Sequence, residues 1–219
     1  TSPDNIQSII RVFCFRIPRN LPGFSLNSAV DQLLKNEFDL LRKKGQRHQL
    51  MEKYHIDALP FDHPDLDRWR NNFVGQQFLH TPTNFLVFGA VDDLWINKDG
   101  ELLIVDYKAT STTKEISLED EYKQGYKKQM EVYQWLFRQN GFKVSNTGYF
   151  IFANADKNLP KFDGRLEFKV TIVSYQGDDS WVEPTLFKMK KCLDSDQMPE
   201  PSSNCEYCRY RKLIKPLEE

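Results

Sequence analysis

The sequence feature that most constrains the fold is a β-hairpin predicted near the middle of the chain. Two apolar runs that favour β-structure, residues 85–91 and 102–105, lie on either side of the turn sequence Asn-Lys-Asp-Gly at 97–100. Asn at the start of a turn and Gly at its end are typical of a three-residue hairpin loop closed by a glycine bulge. We therefore predict an antiparallel hairpin whose loop sets Asn97 opposite Glu101.

The register of this hairpin places two carboxylates side by side. Counting back from the loop sets Asp92 opposite Asp106, and cross-strand neighbours project from the same face with their Cβ atoms about 5 Å apart. Lys108 shares that face, whereas Val105 and Tyr107 point the other way. Two adjacent carboxylates in strands this apolar need a compensating cation, and hard oxygen ligands favour Mg²⁺ or Mn²⁺.

A simpler interpretation of the same residues stays open. Asp106 and Lys108 can form a buried salt bridge, while Asp92 or Asp93 is only a charge at the end of a strand. A slip of one residue in the register would move Asp92 to the opposite face of the sheet.

The remaining sequence predicts a mixed α/β domain. A helix begins at Ser25 or Asn27 and ends near Lys44, before Gly45. Further elements follow it: helices over residues 119–139 and 184–193, and strands over 147–152 and 166–175. Strands that alternate irregularly with helices indicate a three-layer α/β fold, with a mixed β-sheet flanked by helices.

Composition and charge narrow the class of protein further. The 219 residues include 16 Phe, 9 Tyr and 4 Trp, which excludes a disordered or collagen-like chain. We predict a single domain over residues 1–219, with an N-terminal lead (1–24) and a cysteine-containing C-terminal tail (195–219) as appendages. A formal net charge of −1 gives no global attraction to nucleic acids, so phosphate binding needs a local patch.

The sequence also indicates the cell compartment in which we expect the protein. No apolar run approaches the roughly 18 residues that cross a bilayer, and the first residues do not form a secretory signal. Four cysteines in a chain of this length do not indicate a disulfide scaffold. We expect a protein of the reducing cytoplasm with no membrane partner.

Three motifs together resemble a known family. They are Gly-Ala-Val-Asp at 89–92, Asp-Tyr-Lys at 106–108 and Gln-x-x-x-Tyr at 129–133. In this order and spacing they resemble the PD-(D/E)XK nuclease superfamily, and more narrowly its RecB-like branch, which includes the CRISPR-adaptation exonucleases. The resemblance implies a restriction-endonuclease-like core.

The resemblance also implies a role for each matched residue. Asp92 and Asp106 would bind Mg²⁺ or Mn²⁺, together with the main-chain carbonyl of Tyr107. Lys108 would orient or help to deprotonate the attacking water and would stabilise charge on the phosphate. Gln129 and Tyr133, one helical turn apart, would contact a phosphate of the cut strand or orient the metal ligands. Ordinary helix packing is the alternative interpretation of this last pair.

The family often has a further acidic or histidine ligand on the first helix. Glu37 is our candidate, because it lies within the apolar stripe of the predicted helix, and Asp31 is the alternative. The histidine that the RecB-like branch often places here is missing, since His48 lies beyond the end of the helix.

The cysteines give a second possible metal site. Cys205-x-x-Cys208 lies near the C-terminus, with Cys192 before it and Cys14 near the other end of the chain. Some RecB-like nucleases hold an iron–sulfur cluster with one early and three late cysteines, so an Fe–S cluster or a zinc site is one interpretation. Packed or free thiols are the other.

The leading functional hypothesis is a metal-dependent deoxyribonuclease with Asp92, Asp106 and Lys108 as its catalytic residues. By resemblance to the branch, we expect an exonuclease that acts on single-stranded DNA ends. The alternative is a catalytically silent nucleic-acid-binding module, or a structural module of a larger repair or defence complex.

Overall fold

The computed structural model describes residues 25–120 and 123–197, together with residues 205, 210 and 213. The chain divides into two compact units, residues 1–182 and 183–219. The described elements in chain order are α1 (Ser25–Lys44), α2 (Gln49–Lys53), β1 (Ala58–Pro60), α3 (Leu66–Trp69), β2 (Gln76–His80), β3 (Phe85–Gly89), β4 (Asp93–Asn97), β5 (Leu102–Thr110), α4 (Gln124–Gln139), β6 (Thr147–Ala155), β7 (Phe168–Gln176) and α5 (Val182–Leu193).

The first unit is built on a mixed five-stranded sheet with the strand order β1-β4-β5-β6-β7. Strands β5 and β6 are parallel, and every other neighbouring pair in this sheet is antiparallel. Two parallel strands need a crossover connection, and α4 lies in the segment that connects them. The mixed sheet predicted from the sequence is therefore confirmed.

The hairpin forms in the predicted register, but with a different first strand. Its strands are β4 and β5, and the amide of Asn97 donates to the carbonyl of Glu101 at 3.1 Å. The predicted strand over 85–91 is wrong as one partner of this hairpin, because β3 pairs instead with β2 in a separate two-stranded sheet. The chain leaves β3 after Gly89, and the amide of Val91 donates to the carbonyl of Trp69 at 3.1 Å.

Helices α1 and α4 cover opposite faces of the sheet. On one face, Leu34 and Phe38 of α1 share a buried core with Trp95, Tyr107 and Ile151. On the other face, Tyr126 of α4 lies 6.4 Å from the ring of Phe150, the neighbour of Ile151 on β6. Successive strand residues point to opposite faces, so the two helices enclose the sheet in three layers, as predicted.

Several element boundaries differ from those predicted. Helix α1 ends at Lys44, and Gly45 follows with φ +60°, as expected for a glycine that ends a helix. Helix α4 begins at Gln124 rather than 119, because a turn precedes it in which the amide of Lys123 donates to the carbonyl of Asp120. No helix in the described part of the chain is long and apolar enough to cross a membrane.

Candidate metal centre

The candidate site lies where β5 extends beyond its partner strand. Strand β4 begins only at Asp93, whereas β5 continues to Thr110. The backbone amide of Tyr107 therefore donates to a side chain, Oδ2 of Asp92, at 2.7 Å. In a strand the N–H and C=O of one residue point to the same edge, so the Tyr107 carbonyl faces this edge as well.

The two carboxylates of the site lie in an environment that opposes their charges. Asp106 is only 3% exposed, and burial raises its pKa. Burial also raises the pKa of Asp92 to about 7, and the neighbouring Asp106 carboxylate adds to the increase. Burial therefore disfavours the charged form of both acids, and a positive charge beside them stabilises it.

Lys108 lies directly beside these carboxylates. Its ammonium contacts Oδ2 of Asp106, donates to Oε1 of Gln129 at 3.3 Å and lies 4.5 Å from the ring centroid of Tyr126. Burial lowers the pKa of Lys108, but the Asp106 and Asp92 carboxylates outweigh this effect and raise it above its ordinary value. Lys108 therefore stays protonated and acts as a positive charge and hydrogen-bond donor.

Gln129 and Tyr133 of α4 continue this chain of contacts. Nε2 of Gln129 donates to the hydroxyl of Tyr133 at 2.7 Å, while its Oε1 accepts from Lys108. The ring of Tyr133 packs against Gly89, where an added Cβ would lie 2.6 Å from Cε1 of Tyr133. Gly89, in the first sequence motif, thus leaves space for the ring of Tyr133 in the third. Gln129, also in the third motif, holds Lys108 of the second.

The oxygen atoms at this edge are suited to a hard divalent cation. Apart from its close contact with Lys108, the buried Oδ2 of Asp106 has no hydrogen-bond partner. Among the described residues, no group of three or more His, Cys, Asp or Glu side chains could hold a metal. Two carboxylates and a carbonyl instead match Mg²⁺, which commonly binds through one or two carboxylates and retains several waters.

Helix α1 adds a cation that the sequence analysis missed. Nζ of Lys35 lies 2.7 Å from Oδ2 of Asp31 and 3.6 Å from Oδ1 of Asp92. The charge of Asp31 raises the pKa values of both Asp92 and Asp106, so Asp31 lies within electrostatic reach of the site. The spacing of Asp31 and Lys35, four residues apart on a helix, was the available signal for this pair.

Glu37, the predicted fourth ligand, is not brought to this group. Its carboxylate lies 2.8 Å from Nε2 of His48, and its side chain is 58% exposed. Nδ1 of His48 accepts from the amide of Leu50 at 3.0 Å, so Nε2 carries the proton that is donated to Glu37. Of the two acids considered on the first helix, Asp31 is the one within electrostatic reach of Asp92 and Asp106.

Asp93 lies next to Asp92 in sequence but has a different environment. It is fully buried, and its carboxylate accepts hydrogen bonds from Arg42, from Arg70 at 2.9 Å and from the Tyr107 hydroxyl at 2.9 Å. Its oxygens therefore already accept from protein donors, which leaves Asp92 as the candidate metal ligand of the two. A charged residue within an apolar strand was the sequence signal for such a buried ion pair.

The cysteines are only partly described. Cys192 is exposed on α5, and Cys205 is half-buried. Cys14 and Cys208 lie outside the described residues. The Fe–S or zinc site therefore stays a prediction.

The family of this chain can be established by comparison with known proteins. No curated protein sequence matches the chain. A solved structure titled "Crystal structure of SSO0001" is 18% identical, with a TM-score of 0.32, over 61% of this chain and 53% of that one. The chain thus matches about half the length of that protein. The sequence model of the PD-(D/E)XK nuclease superfamily matches residues 21–213, a span that contains Asp92, Asp106 and Lys108. Because this match covers most of the chain, the protein belongs to the PD-(D/E)XK nuclease superfamily.

Proposed function

We propose that this protein is a divalent-metal-dependent deoxyribonuclease that hydrolyses phosphodiester bonds at Asp92, Asp106 and Lys108. The observation that carries the proposal is the contact of Lys108 with a buried oxygen of Asp106, beside Asp92 at the open edge of β5. Membership of a nuclease superfamily supplies the class of reaction. The three side chains supply the two functions that the reaction needs, binding of a cation and stabilisation of negative charge.

Asp92, Asp106 and the Tyr107 carbonyl would hold Mg²⁺ or Mn²⁺. When bound there, the cation lowers the pKa of a coordinated water and offsets negative charge on the phosphate. The carboxylates of Asp92 and Asp106 would hold that cation, and the Tyr107 amide orients Asp92 by donating to its Oδ2. The deprotonated carboxylates are the binding form.

Lys108 acts on the substrate side of this arrangement. Its ammonium is held by Asp106 and Gln129, so its direction is fixed before substrate arrives. Because its pKa is raised, it carries a proton through the reaction and supplies positive charge to the phosphate oxygens. Gln129, held in turn by Tyr133, keeps this lysine from pairing with Asp106 alone.

The finer proposal is an exonuclease of the RecB-like branch that acts on single-stranded ends. It is supported by Gln129 and Tyr133, which match the signature of that branch. Gln129 accepts a hydrogen bond from the catalytic lysine, and Tyr133 accepts one from Gln129. DNA is the proposed partner, and a place in a larger repair or defence complex is compatible with this activity.

The test is digestion of end-labelled single- and double-stranded DNA with Mg²⁺, with Mn²⁺ and with EDTA. We expect metal-dependent cleavage that falls by at least about 100-fold in Asp106→Asn and Lys108→Met. Lys98→Met and Asp99→Asn, at the exposed hairpin turn, are matched controls and should cleave normally.

Closed circular single-stranded DNA tests the requirement for a free end. An exonuclease leaves the circle intact and shortens the linear strand, whereas cutting of the circle would contradict exonuclease action. A labelled RNA of the same sequence tests the preference for DNA. If DNA is retained in a gel-shift experiment but is not cut with any metal, the protein is a catalytically silent binding module instead.

A further inference from the structure

A group of four charged residues lies behind the metal centre. We call Asp39, Arg42, Arg70 and Asp93 the ion-pair cluster; the side chain of Asp39 is 33% exposed and the other three side chains are buried. Arg70 donates to both carboxylate oxygens of Asp39, at 2.9 and 3.0 Å, and to Asp93 at 2.9 Å. Arg42 donates to the same two carboxylates. The two positive and two negative charges balance, so the cluster does not neutralise Asp92.

One hydrogen bond connects this cluster directly to the backbone of the metal centre. Nε of Arg70 donates to the main-chain carbonyl of Asp92 at 3.0 Å. The Asp92 side chain accepts from the Tyr107 amide, and the Tyr107 hydroxyl donates to Asp93. Asp93 also accepts from Arg70. The hydrogen bonds therefore close a ring through four residues: Arg70, Asp92, Tyr107 and Asp93.

The ring replaces support that the sheet does not give. Asp92 precedes the first residue of β4, and its neighbour Val91 bonds to Trp69 rather than to a strand. The Asp92 backbone would otherwise be part of a connecting segment, yet a metal ligand must be held within about 0.5 Å of its productive position. Charged donors form the stronger hydrogen bonds, and Arg70 contributes one here.

We infer that Arg70, held by Asp93 and Asp39, is a positioning residue of the metal centre that fixes the backbone of Asp92 so that its carboxylate meets Asp106. The inference rests on the proposed metal site. It assigns no contact with substrate to Arg70.

Arg42 provides a matched control within the same cluster. It contacts Asp39 and Asp93 as Arg70 does, but its Nε donates to the carbonyl of Phe61 at 2.7 Å and not to Asp92. Arg→Lys at either position keeps the positive charge and loses the planar fork. A difference between the two variants therefore reports on the hydrogen bond to Asp92.

The experiment measures Mn²⁺ binding to the purified full chain by electron paramagnetic resonance, with thermal unfolding of each metal-free variant beside it. We expect Arg70→Lys to weaken Mn²⁺ binding roughly tenfold, as loss of a group that orients a ligand commonly does. Arg42→Lys should bind Mn²⁺ within about twofold of wild type even if its melting temperature falls equally.

Two outcomes would overturn the inference: wild-type Mn²⁺ affinity in Arg70→Lys, or equal weakening in both lysine variants, which would make the cluster a purely structural element. If Arg70→Lys does not fold, Asp39→Asn decides, because it removes the charge that holds Arg70 by two hydrogen bonds and leaves Asp92 and Asp93 unchanged. Weaker binding in that variant supports the inference, and unchanged binding contradicts it. Absence of Mn²⁺ binding by the wild-type protein would instead contradict the proposed metal centre, and this inference with it.

Discussion

The backbone amide of Tyr107 donates a 2.7 Å hydrogen bond to Oδ2 of Asp92, so strand β5 both carries one acid of the site and holds the other. Asp106 precedes Tyr107 on the same strand and is almost fully buried. The two carboxylates are thereby fixed close together without a ladder of strand hydrogen bonds between them. Because the two acids are buried and repel each other, the stability of the protein and its affinity for metal ions should depend on their charge.

The first prediction concerns the pH dependence of stability. The pKa of Asp92 rises from an ordinary 3.8 to about 7 in the folded protein. Between these values the folded state holds a proton that the unfolded chain has lost, so a rise in pH favours unfolding. We expect the melting temperature of the metal-free protein to fall as pH rises across this window, and this contribution to level off above it.

Metal binding should show the opposite dependence. Mn²⁺ binds the deprotonated carboxylates, so the increase in melting temperature on adding Mn²⁺ should grow with pH and level off above about 7. Thermal unfolding with and without Mn²⁺ across this range is the measurement, with Asp92→Asn as the control. A shift that is as large at pH 5 as at pH 8 would contradict the assignment of Asp92.

The second prediction concerns Lys35. Its ammonium lies 3.6 Å from Oδ1 of Asp92 and lowers the pKa of that acid against the larger effect of burial. Lys35→Met should therefore raise the pKa of Asp92 further, as followed by ¹³C NMR of its carboxyl carbon in metal-free protein. Lys44→Met, at the exposed end of the same helix, should leave it unchanged. An unchanged pKa of Asp92 in Lys35→Met would show that the ion pair does not form in solution.

The third prediction separates the two acids of helix α1. Asp31→Asn should weaken Mg²⁺ or Mn²⁺ binding by roughly tenfold, because it removes a negative charge within electrostatic reach of both carboxylates of the candidate site. Glu37→Gln should leave metal affinity unchanged, because that carboxylate contacts His48. Isothermal titration of each variant is the measurement. A loss of affinity confined to Glu37→Gln would restore the assignment made from the sequence.

The fourth prediction tests the packing of the three motifs. An alanine at position 89 would bring its Cβ to 2.6 Å from Cε1 of Tyr133 and displace that ring. Gly89→Ala should destabilise the protein by about 1–3 kcal/mol in urea unfolding. It should also reduce nuclease activity, since Tyr133 holds Gln129 and Gln129 holds Lys108.

Gly125 is the control for this substitution. It lies on α4 with nothing within 4 Å of an added Cβ, so Gly125→Ala should be neutral or stabilise the protein by about 0.5–1 kcal/mol. Equal stability of both variants would show that the ring of Tyr133 does not pack against Gly89.

The α/β class and the hairpin register could be predicted from the amino-acid sequence alone, and with the register the placement of Asp92 opposite Asp106. These follow from local rules: an Asn and a Gly at fixed positions in a turn, and alternation along strands. The register that sets Asn97 opposite Glu101 is the observed one, and Asp92 and Asp106 meet as it requires. The end of α1 could be predicted in the same way, because the glycine at position 45 readily adopts the positive φ that ends a helix.

Two features depend on the folded chain as a whole: which strand completes the hairpin, and which charges surround the site. Residues 85–89 and 93–97 are both apolar enough to pair with β5, and the choice depends on β2, a strand that the sequence analysis did not predict and that pairs with β3. Arg70 reaches Asp92, and Lys35 reaches it from α1, across separations in sequence that no spacing rule encodes. Their positions depend on helix packing against the sheet, because a buried charge takes whichever partner the folded chain brings within a few ångströms.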